Sequence, residues 1–470
     1  MVYTMAKKYD VLIIGSGPAG YVAAIKLSQL GKKVACIDAN EHLGGTCLNV
    51  GCIPSKSLLQ SSHHYYKAKN DFHHQGIYCE KLTFSLPKMM EEKKKTLEGL
   101  GQGIAGLFKK NKVDYFNGLA SFQDAHSVII NMKNGPQQKV GADNIIIATG
   151  SNPIHIPNIA VDEKYIITST GGLSLSEVPK KMAIIGAGAI GIEIGSVWSR
   201  LGSDVTVIEF NENILSGFDQ DISREARKSL QKQGLKFLTS SKVNGANVVN
   251  NQVILEVTSK DGTQKMTVDK LLVAVGRKAH TDNLGLENIG ITTDSRGKIE
   301  VNNQYQTMLK NVYAVGDVIA GPMLAHKAAD EGIAVAEILA GEAGHVNYDV
   351  IPNVVYTHPE IASVGKSEYQ LKEGGVSYNT GKFPIMANSR GRAIKESEGF
   401  VKILACSKTD TILGVHIIAA NAGELIAEAV VAMEFKASSE DLARICKPHP
   451  TLNEAVKEAA LATYSQSIHF

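Results

Sequence analysis

Short apolar runs, broken by glycine-rich turns and amphipathic stretches, set the pattern of this chain. Tyr9 to Ile14 reads YDVLII, a nearly continuous apolar run with β-branched residues, and predicts a buried parallel strand. It enters Gly15-Ser16-Gly17-Pro18-Ala19-Gly20 directly. A helix is expected from there to about Leu30, stopping at Gly31, followed by a strand, Lys33 to Ile37, that ends on Asp38. The same unit recurs. Met182 to Ile185 leads into Gly186-Ala187-Gly188-Ala189-Ile190-Gly191, the helix ends at Leu201-Gly202, and the strand Asp204 to Ile208 ends on Glu209. In both copies the first glycine precedes the acid by 23 positions. G-x-G-x-x-G at a strand-to-helix turn lets the backbone approach a pyrophosphate seated on the helix N-terminus, and the acid is placed to bond a ribose hydroxyl. A lone glycine motif is weak, but the whole strand–glycine–helix–strand–acid unit is strong. Two dinucleotide sites are expected.

The remaining pattern fills in around these units. Leu82 to Lys110 has the spacing of a long amphipathic helix, with strands from about Val113. Asn144 to Ala148 is a buried strand closing on Thr149-Gly150, Lys270 to Val275 closes on Gly276-Arg277, and Asn311 to Val318 holds Gly316-Asp317 at its end. Glycine ends let a backbone pass close to a ligand. An acid there is well placed to meet one, although Asp317 taken alone also reads as a cap or turn residue. From about Asp349 strands and helices follow without a glycine fingerprint, which predicts a separate α+β domain.

Composition narrows the class. A chain of 470 residues accommodates about three domains. With 49 basic and 47 acidic residues the net charge is +2, which gives no electrostatic case for nucleic acid or a membrane surface. The clusters Glu91 to Lys95 and Lys109 to Lys112 read as solvated helix faces. No run of 18 apolar residues occurs, so no spanning helix is expected. The first strand follows Met1 so closely that no signal or transit peptide is expected. Six cysteines in this length are not a secreted disulfide framework, and a reducing compartment fits.

Two of those cysteines, Cys47 and Cys52, lie five positions apart in Gly44-Gly45-Thr46-Cys47-Leu48-Asn49-Val50-Gly51-Cys52-Ile53-Pro54-Ser55-Lys56. The stabilisation from a disulfide grows with loop length, so this small ring is a poor staple. Two thiols held close read better as a redox pair that passes two electrons between dithiol and disulfide. The alternatives are a zinc half-site, which lacks a second close cysteine pair, and two inert buried thiols. Near the other end, His449 stands between Pro448 and Pro450, ahead of a helix expected to run to about Thr463. Thr451 and Glu454 have capping-box spacing, a structural reading, while His449 with Glu454 also forms a general-base pair. The doublets His63-His64 and His73-His74 evoke metal, but nothing else in the sequence converges on them.

In this order, GGTCLNVGCIPSK, two dinucleotide fingerprints, ATG, YAVGD and HPTLNE resemble the flavin–disulfide reductases, and the tail narrows the likeness to the dihydrolipoamide dehydrogenases. The resemblance runs from Tyr9 to about Ala462. It implies an α/β fold of two Rossmann-like dinucleotide-binding domains plus a C-terminal α+β dimerisation domain. Its boundaries would be 1–150 for FAD, 151–276 for NAD, 277–348 completing the FAD site and 349–470 for the interface. It implies FAD on Gly15, Gly17, Gly20 and Asp38, with Thr149, Gly150, Asp317 and Ala325 also on the flavin side. Lys56 would lie by the flavin ring, paired with Glu193. NAD would lie on Gly186, Gly188, Gly191 and Glu209, beside Gly276. Cys47 and Cys52 would form the redox disulfide, and His449 with Glu454 would face the cysteines of the other subunit of a homodimer. One departure is Val275-Gly276-Arg277-Lys278-Ala279, where a proline is expected near position 279.

Glu209 argues for NAD on physical grounds. A carboxylate accepts from a free 2′-hydroxyl and repels a 2′-phosphate, and Phe210 to Ser216 contains no arginine. The implied activity is oxidation of protein-bound dihydrolipoamide. Its partner would be the lipoyl domain of an acyltransferase (E2) core or a glycine-cleavage H protein. The alternatives are another NADH-linked flavin disulfide reductase or an NADH oxidase. Bacterial cytoplasm and a processed mitochondrial matrix read alike here, and the closeness of Met1 to the first strand favours the cytoplasm.

Overall fold

The computed structural model describes residues 7–470, so the reading from Met1 lies outside the described residues. The chain divides into two compact units, Met1–Ser57 with Pro87–Ile154 and Gly276–Val346, and Leu58–Leu86 with His155–Val275 and Asn347–Phe470.

The first unit is built on a six-stranded sheet in the order Lys7–Ile14, Val34–Asp38, Asp114–Asp124, Ser127–Met132, Gln138–Ile147, Val312–Ala314, with Lys7–Ile14 also pairing to Gln138–Ile147. Buried on both faces, its parallel strands are runs of Ile, Val, Leu and Ala, as covered parallel sheets require. In register, Ile14 faces both Ile37 and Ile147, and Ala314 also faces Ile147. The strands therefore end level, and Gly15, Asp38, Thr149 and Gly316-Asp317 emerge together at their C-terminal ends. That is where ligands bind in open α/β sheets. The helices Pro18–Gln29 and Ala325–Ala340 pack so closely that a Cβ on Gly332 would lie 2.5 Å from the Ala19 carbonyl oxygen.

The second unit repeats the principle. Its parallel sheet runs Lys236–Leu238, Asp204–Ile208, Lys181–Ile185, Lys270–Val273, Ile166–Ile167, and Ile185 faces Ile208 and Val273. A three-stranded antiparallel sheet, Lys242–Val249, Gln252–Ser259 and Gly262–Val268, accompanies it. The C-terminal part is a five-stranded antiparallel sheet in the order Asn353–Val355, Glu360–Gly365, Ile412–Ala419, Phe400–Cys406, Tyr378–Pro384, packed by the helices Ala422–Glu434 and Glu454–Leu461. This matches the expected α+β segment.

Some boundaries differ from expectation. The long helix is Leu86–Lys110, not from Leu82, because Pro87 lacks an N–H and fits only a first turn. The expected strand to Val318 stops at Ala314, since Gly316 turns left-handed (φ +82°) into a short 3₁₀ turn, Gly316–Val318, that carries Asp317. Lys270–Val273 likewise ends two residues early.

Within the second unit, Lys402 is buried and held by Asp219 at 2.9 Å, Asp221 at 3.1 Å and Glu368 at 2.8 Å. The hydrogen bond from Lys402 brings the Glu368 carboxyl down to about 2. A carboxylate depressed in the fold contributes stability that is present above its unfolded pKa and lost as pH falls through the folded value. Denaturant midpoints should therefore drop between pH 4.5 and about 2. Glu368→Gln should flatten that slope; an unchanged slope would show that the cluster does not govern acid stability.

Candidate active site

The cysteine segment rests against the first glycine turn. Gly44 donates its N–H to Ser16 O at 3.0 Å, and Gly45, at φ +59°, sits where a Cβ would come within 2.6 Å of the Gly17 Cα. Two short helical pieces follow, Gly45–Val50 and the helix Cys52–Asn70, joined at Gly51. Cys47 and Cys52 are half-buried and joined as a disulfide, their Cα atoms 4.7 Å apart. Lys56 lies one turn beyond Cys52 and so on the same face of that helix. Cys36 is buried, and desolvation pushes its thiol well above the ordinary range, which makes it inert packing.

The glycine turn is shaped for a phosphate. Helix Pro18–Gln29 has Gly17 at its N-cap with no side-chain bond to its first N–H groups, and Pro18 opens it. Those donors point outward for an anion. A Cβ at Gly20 would lie 1.8 Å from Gly15 O, so only glycine lets the helix start this close to the strand. Asp38 Oδ2 accepts from the Ser16 N–H and Ser16 Oγ, both at 2.7 Å, and Oδ1 from the Asn40 N–H at 2.8 Å. The acid thus clamps the glycine turn itself, through Ser16, a position the glycine spacing does not single out. The second unit repeats this. Gly188 caps helix Ala189–Arg200 without a side-chain bond, and Glu209 Oε2 accepts the Ala187 N–H at 2.7 Å while Oε1 takes that of Asn211 at 2.8 Å. A Cβ on Gly191 would lie 2.1 Å from Gly186 O. Glu193, buried on the same helix, accepts the Tyr356 N–H at 2.9 Å.

Asp317 has a support that sequence alone did not show. Ser151 Oγ donates to Asp317 Oδ2 at 2.5 Å and accepts from Arg277 Nε at 2.7 Å. The turn beneath is held by a fully buried ion pair. Lys327 Nζ reaches Glu331 at 3.0 Å and the carbonyls of Gly316 at 3.1 Å and Ala320 at 3.2 Å, and Glu331 accepts the Gly316 N–H at 2.7 Å. Lys327 and Glu331 are i,i+4 on the buried face of the helix Ala325–Ala340, among Ala328, Ala334 and Val335, and opposite charges at that spacing are the signal the sequence offers. Ala325 opens that helix, again with no side-chain cap. Thr149 Oγ1 donates to His280 O at 2.6 Å, and the short strand Arg277–Ala279 pairs with Ser151–Pro153. Ala279 donates its N–H to Arg296 O at 3.3 Å, a bond that the expected proline could not make.

The His–Glu pair also forms. His449 Nδ1 meets Glu454 Oε1 at 2.8 Å, and Glu454 Oε2 accepts the Thr451 N–H at 2.9 Å. Only this half of the capping box exists; Thr451 Oγ1 donates to Pro448 O at 2.8 Å instead, and Asn453, at the N-cap position of the helix Glu454–Leu461, makes no side-chain cap bond. Burial pulls the Glu454 carboxyl upward, but the Thr451 N–H and then His449 outweigh it and hold it below the usual range. The His449 side chain is 67% exposed, so the ring is oriented at Nδ1 while its face is open to an incoming group.

One histidine of the doublets does find partners. His63, His358 and Glu396 bring donor atoms within 4.8 Å of one another, from segments too distant in sequence to be read together. Lys67 already pairs with Glu396 at 2.5 Å and His358 Nε2 lies 2.7 Å from its other oxygen, while the two imidazoles stack at 3.9 Å. Burial, then the charges of His358 and Arg200, hold the His63 ring down at about 3. With Glu396 already engaged by Lys67 and His358, and cations bearing on His63, the group fits an ion-pair brace better than a metal centre.

Residues 9–332 match the pyridine nucleotide-disulphide oxidoreductase family, and residues 351–460 match its dimerisation domain. The chain belongs to that family. It is 53% identical over 462 residues to dihydrolipoyl dehydrogenase 2, mitochondrial, of Arabidopsis thaliana, covering 98% of this chain and 91% of that one. It is 51% identical over 467 residues to the mitochondrial dihydrolipoyl dehydrogenase of Homo sapiens, covering 98% and 92%. Among solved structures it is similar to the HOCl-induced flavoprotein disulfide reductase RclA from Escherichia coli, with TM-score 0.86 and 27% identity over 96% of this chain and 99% of that one. Among the described residues, no helix is long and apolar enough to cross a membrane.

Proposed function

We propose that this chain oxidises dihydrolipoamide to lipoamide through the Cys47–Cys52 disulfide and FAD, and passes the electrons to NAD. The observation that carries the proposal is the conjunction of a redox disulfide seated on one dinucleotide turn with an oriented His–Glu pair, in a chain about half identical over almost its whole length to dihydrolipoyl dehydrogenases. The glycine turns and uncapped helix ends fit two dinucleotides: FAD on Gly15, Gly17, Gly20, Asp38, Thr149, Gly150, Asp317 and Ala325, and NAD on Gly186, Gly188, Gly191, Glu209 and Gly276. Lys56 and Glu193 belong to the flavin side. FAD supplies a two-electron acceptor for the dithiol and a hydride donor to NAD.

Residues 351–460 pair two chains. Val431 and Phe435, at the end of helix Ala422–Glu434, expose 59% and 81% of their surface, an apolar face suited to such pairing. In the pair, His449 and Glu454 face the cysteines of the other subunit. His449 removes a proton from a substrate thiol, since the thiolate is the nucleophile. The thiolate attacks Cys47, Cys52 leaves as a thiolate, and the second substrate thiol then displaces Cys47 and releases lipoamide. Glu454 fixes the tautomer and stabilises the imidazolium. The four segments 1–150, 151–276, 277–348 and 349–470 carry FAD, NAD, the completed FAD site and the interface. The physiological substrate is lipoamide on a carrier domain, an acyltransferase core or a glycine-cleavage carrier, and a mitochondrial matrix or a bacterial cytoplasm both suit it.

Anaerobic titration with dihydrolipoamide, followed in the visible spectrum, tests the reading. A long-wavelength thiolate-to-flavin band after two electrons, then NADH formation on adding NAD, is expected. A flavin that stays oxidised with dihydrolipoamide but bleaches with NADH would overturn the substrate. Glu454→Gln should keep the fold and slow dihydrolipoamide oxidation by about 100-fold. Its acid limb should move to lower pH, because the imidazolium loses its counter-charge. Unchanged turnover would reduce Glu454 to a structural residue.

A further inference from the structure

The terminal helix Glu454–Leu461 carries a second carboxylate one turn beyond Glu454, and the end of the chain supplies it with a second histidine. Glu458 is at i+4 from Glu454, so both lie on one face. Glu458 is only 7% exposed. His469 Nδ1 meets its Oε1 at 2.7 Å, and its Oε2 accepts the N–H groups of Ile468 at 2.7 Å and His469 at 3.4 Å. Phe470 stands edge-on to Phe383, ring centroids 6.4 Å apart, on the strand Tyr378–Pro384 that packs against this helix. Two His–carboxylate pairs thus stand one turn apart, His449 reaching the helix from before it and His469 from after it.

We propose that His469 is a positioning residue for the base: by holding the buried Glu458 carboxylate, it keeps a second uncompensated negative charge from bearing on the His449–Glu454 pair. The proposal rests on His449 being the base of the sulfur half-reaction. A buried carboxylate without a partner is costly and stabilises any imidazolium near it. Most of the other charged groups around the helix pair elsewhere. On the helix Ser439–Arg444, Arg444 pairs with Glu440 and Asp441 closes a capping box with Ser438. On the strand side, Lys382 pairs with Asp221, Tyr378 donates to Glu368, Lys402 is held by Asp219, Asp221 and Glu368, and the Cys406 thiol bonds Thr409. Lys447 pairs with Glu428, which also accepts from Asn453 Nδ2 at 2.9 Å, and the charge of Lys457 on the helix itself is felt at Lys447. His469 is left as the group that meets Glu458, and its charge reaches Glu454, adding to the larger effects of Thr451 and His449 there.

The test compares two reactions of the holoenzyme across pH: dihydrolipoamide oxidation, which needs the base, and NADH-driven ferricyanide reduction, which does not. His469→Ala should move the acid limb of dihydrolipoamide oxidation up by about half a pH unit and lower kcat/KM near pH 6.5 by about threefold, with ferricyanide reduction unchanged. Adding Glu458→Gln to that variant should return the limb to its original place, a rescue that a lost packing contact would not give. An unmoved limb, or a shift that Glu458→Gln fails to reverse, overturns the proposal. His449→Gln separates the two levels. If it leaves dihydrolipoamide oxidation intact, the underlying reading falls; if it abolishes oxidation while His469→Ala is silent, only the role of His469 falls.

Discussion

Cys47→Ser and Cys52→Ser should each cut dihydrolipoamide-dependent NAD reduction by about 10⁴-fold or more, the scale expected when a reacting nucleophile is removed. The reason lies in the chemistry of the ring. Electrons enter when a substrate thiolate breaks the Cys47–Cys52 bond and leave when the pair recloses, and a serine oxygen can do neither. Both positions are half-buried and serine is smaller than cysteine, so the short helices Gly45–Val50 and Cys52–Asn70 should form as before. FAD should stay bound and NADH-driven ferricyanide reduction should persist. The two variants should differ in one respect. Cys47→Ser leaves Cys52 free as a thiol and should show the long-wavelength thiolate-to-flavin band at a pH where Cys52→Ser shows none. Retention of more than a tenth of the dihydrolipoamide activity in either variant would remove the disulfide from the pathway. A band in Cys52→Ser alone would reverse the order of the two sulfurs.

Lys327→Met should destabilise the FAD-binding unit by about 3–5 kcal/mol, the cost of stripping one partner from a buried ion pair. Lys327 and Glu331 have no exposed side-chain surface. Glu331 would keep its bond from the Gly316 N–H, while two carbonyls, Gly316 and Ala320, would lose their donor in a dry site. The turn they hold carries Asp317, so weaker FAD retention should accompany the lower stability. Thermal unfolding with and without added FAD separates the two effects. The paired variant Lys327→Met/Glu331→Leu should recover much of the stability, because no unpaired charge remains buried. If Lys327→Met alone unfolds within about 1 kcal/mol of the parent, the pair does not organise the turn.

Both dinucleotide units, the redox pair and the His–Glu pair were legible in the sequence because each is local. Strand, glycine turn, helix and acid lie within one βαβ stretch, and Cys47 and Cys52 or His449 and Glu454 are five positions apart. What escaped was built across distance. Ser151, Arg277 and Asp317 meet only once strands far apart in the chain pair, and His63 finds Glu396 over more than 300 positions. Periodicity carries no record of such meetings. Glu454 shows a different failure: spacing offered a capping contact or a pairing with His449 as alternatives, and the carboxylate makes both contacts, one oxygen on the Thr451 N–H and the other on His449. Element ends moved where a single residue overrode an apolar run, as Pro87 and Gly316 did.

The seat of Gly45 on Gly17 ties the histories of two loops together. A side chain larger than hydrogen at position 45 would press into the neighbouring loop at about one bond length less than van der Waals contact allows. A change at Gly45 would therefore lift the disulfide from the cofactor turn before the turn could move to meet it. The two loops can drift only in step, so a lineage that abandoned thiol chemistry would be free to rebuild the cysteine segment only after reshaping the phosphate cradle beneath it.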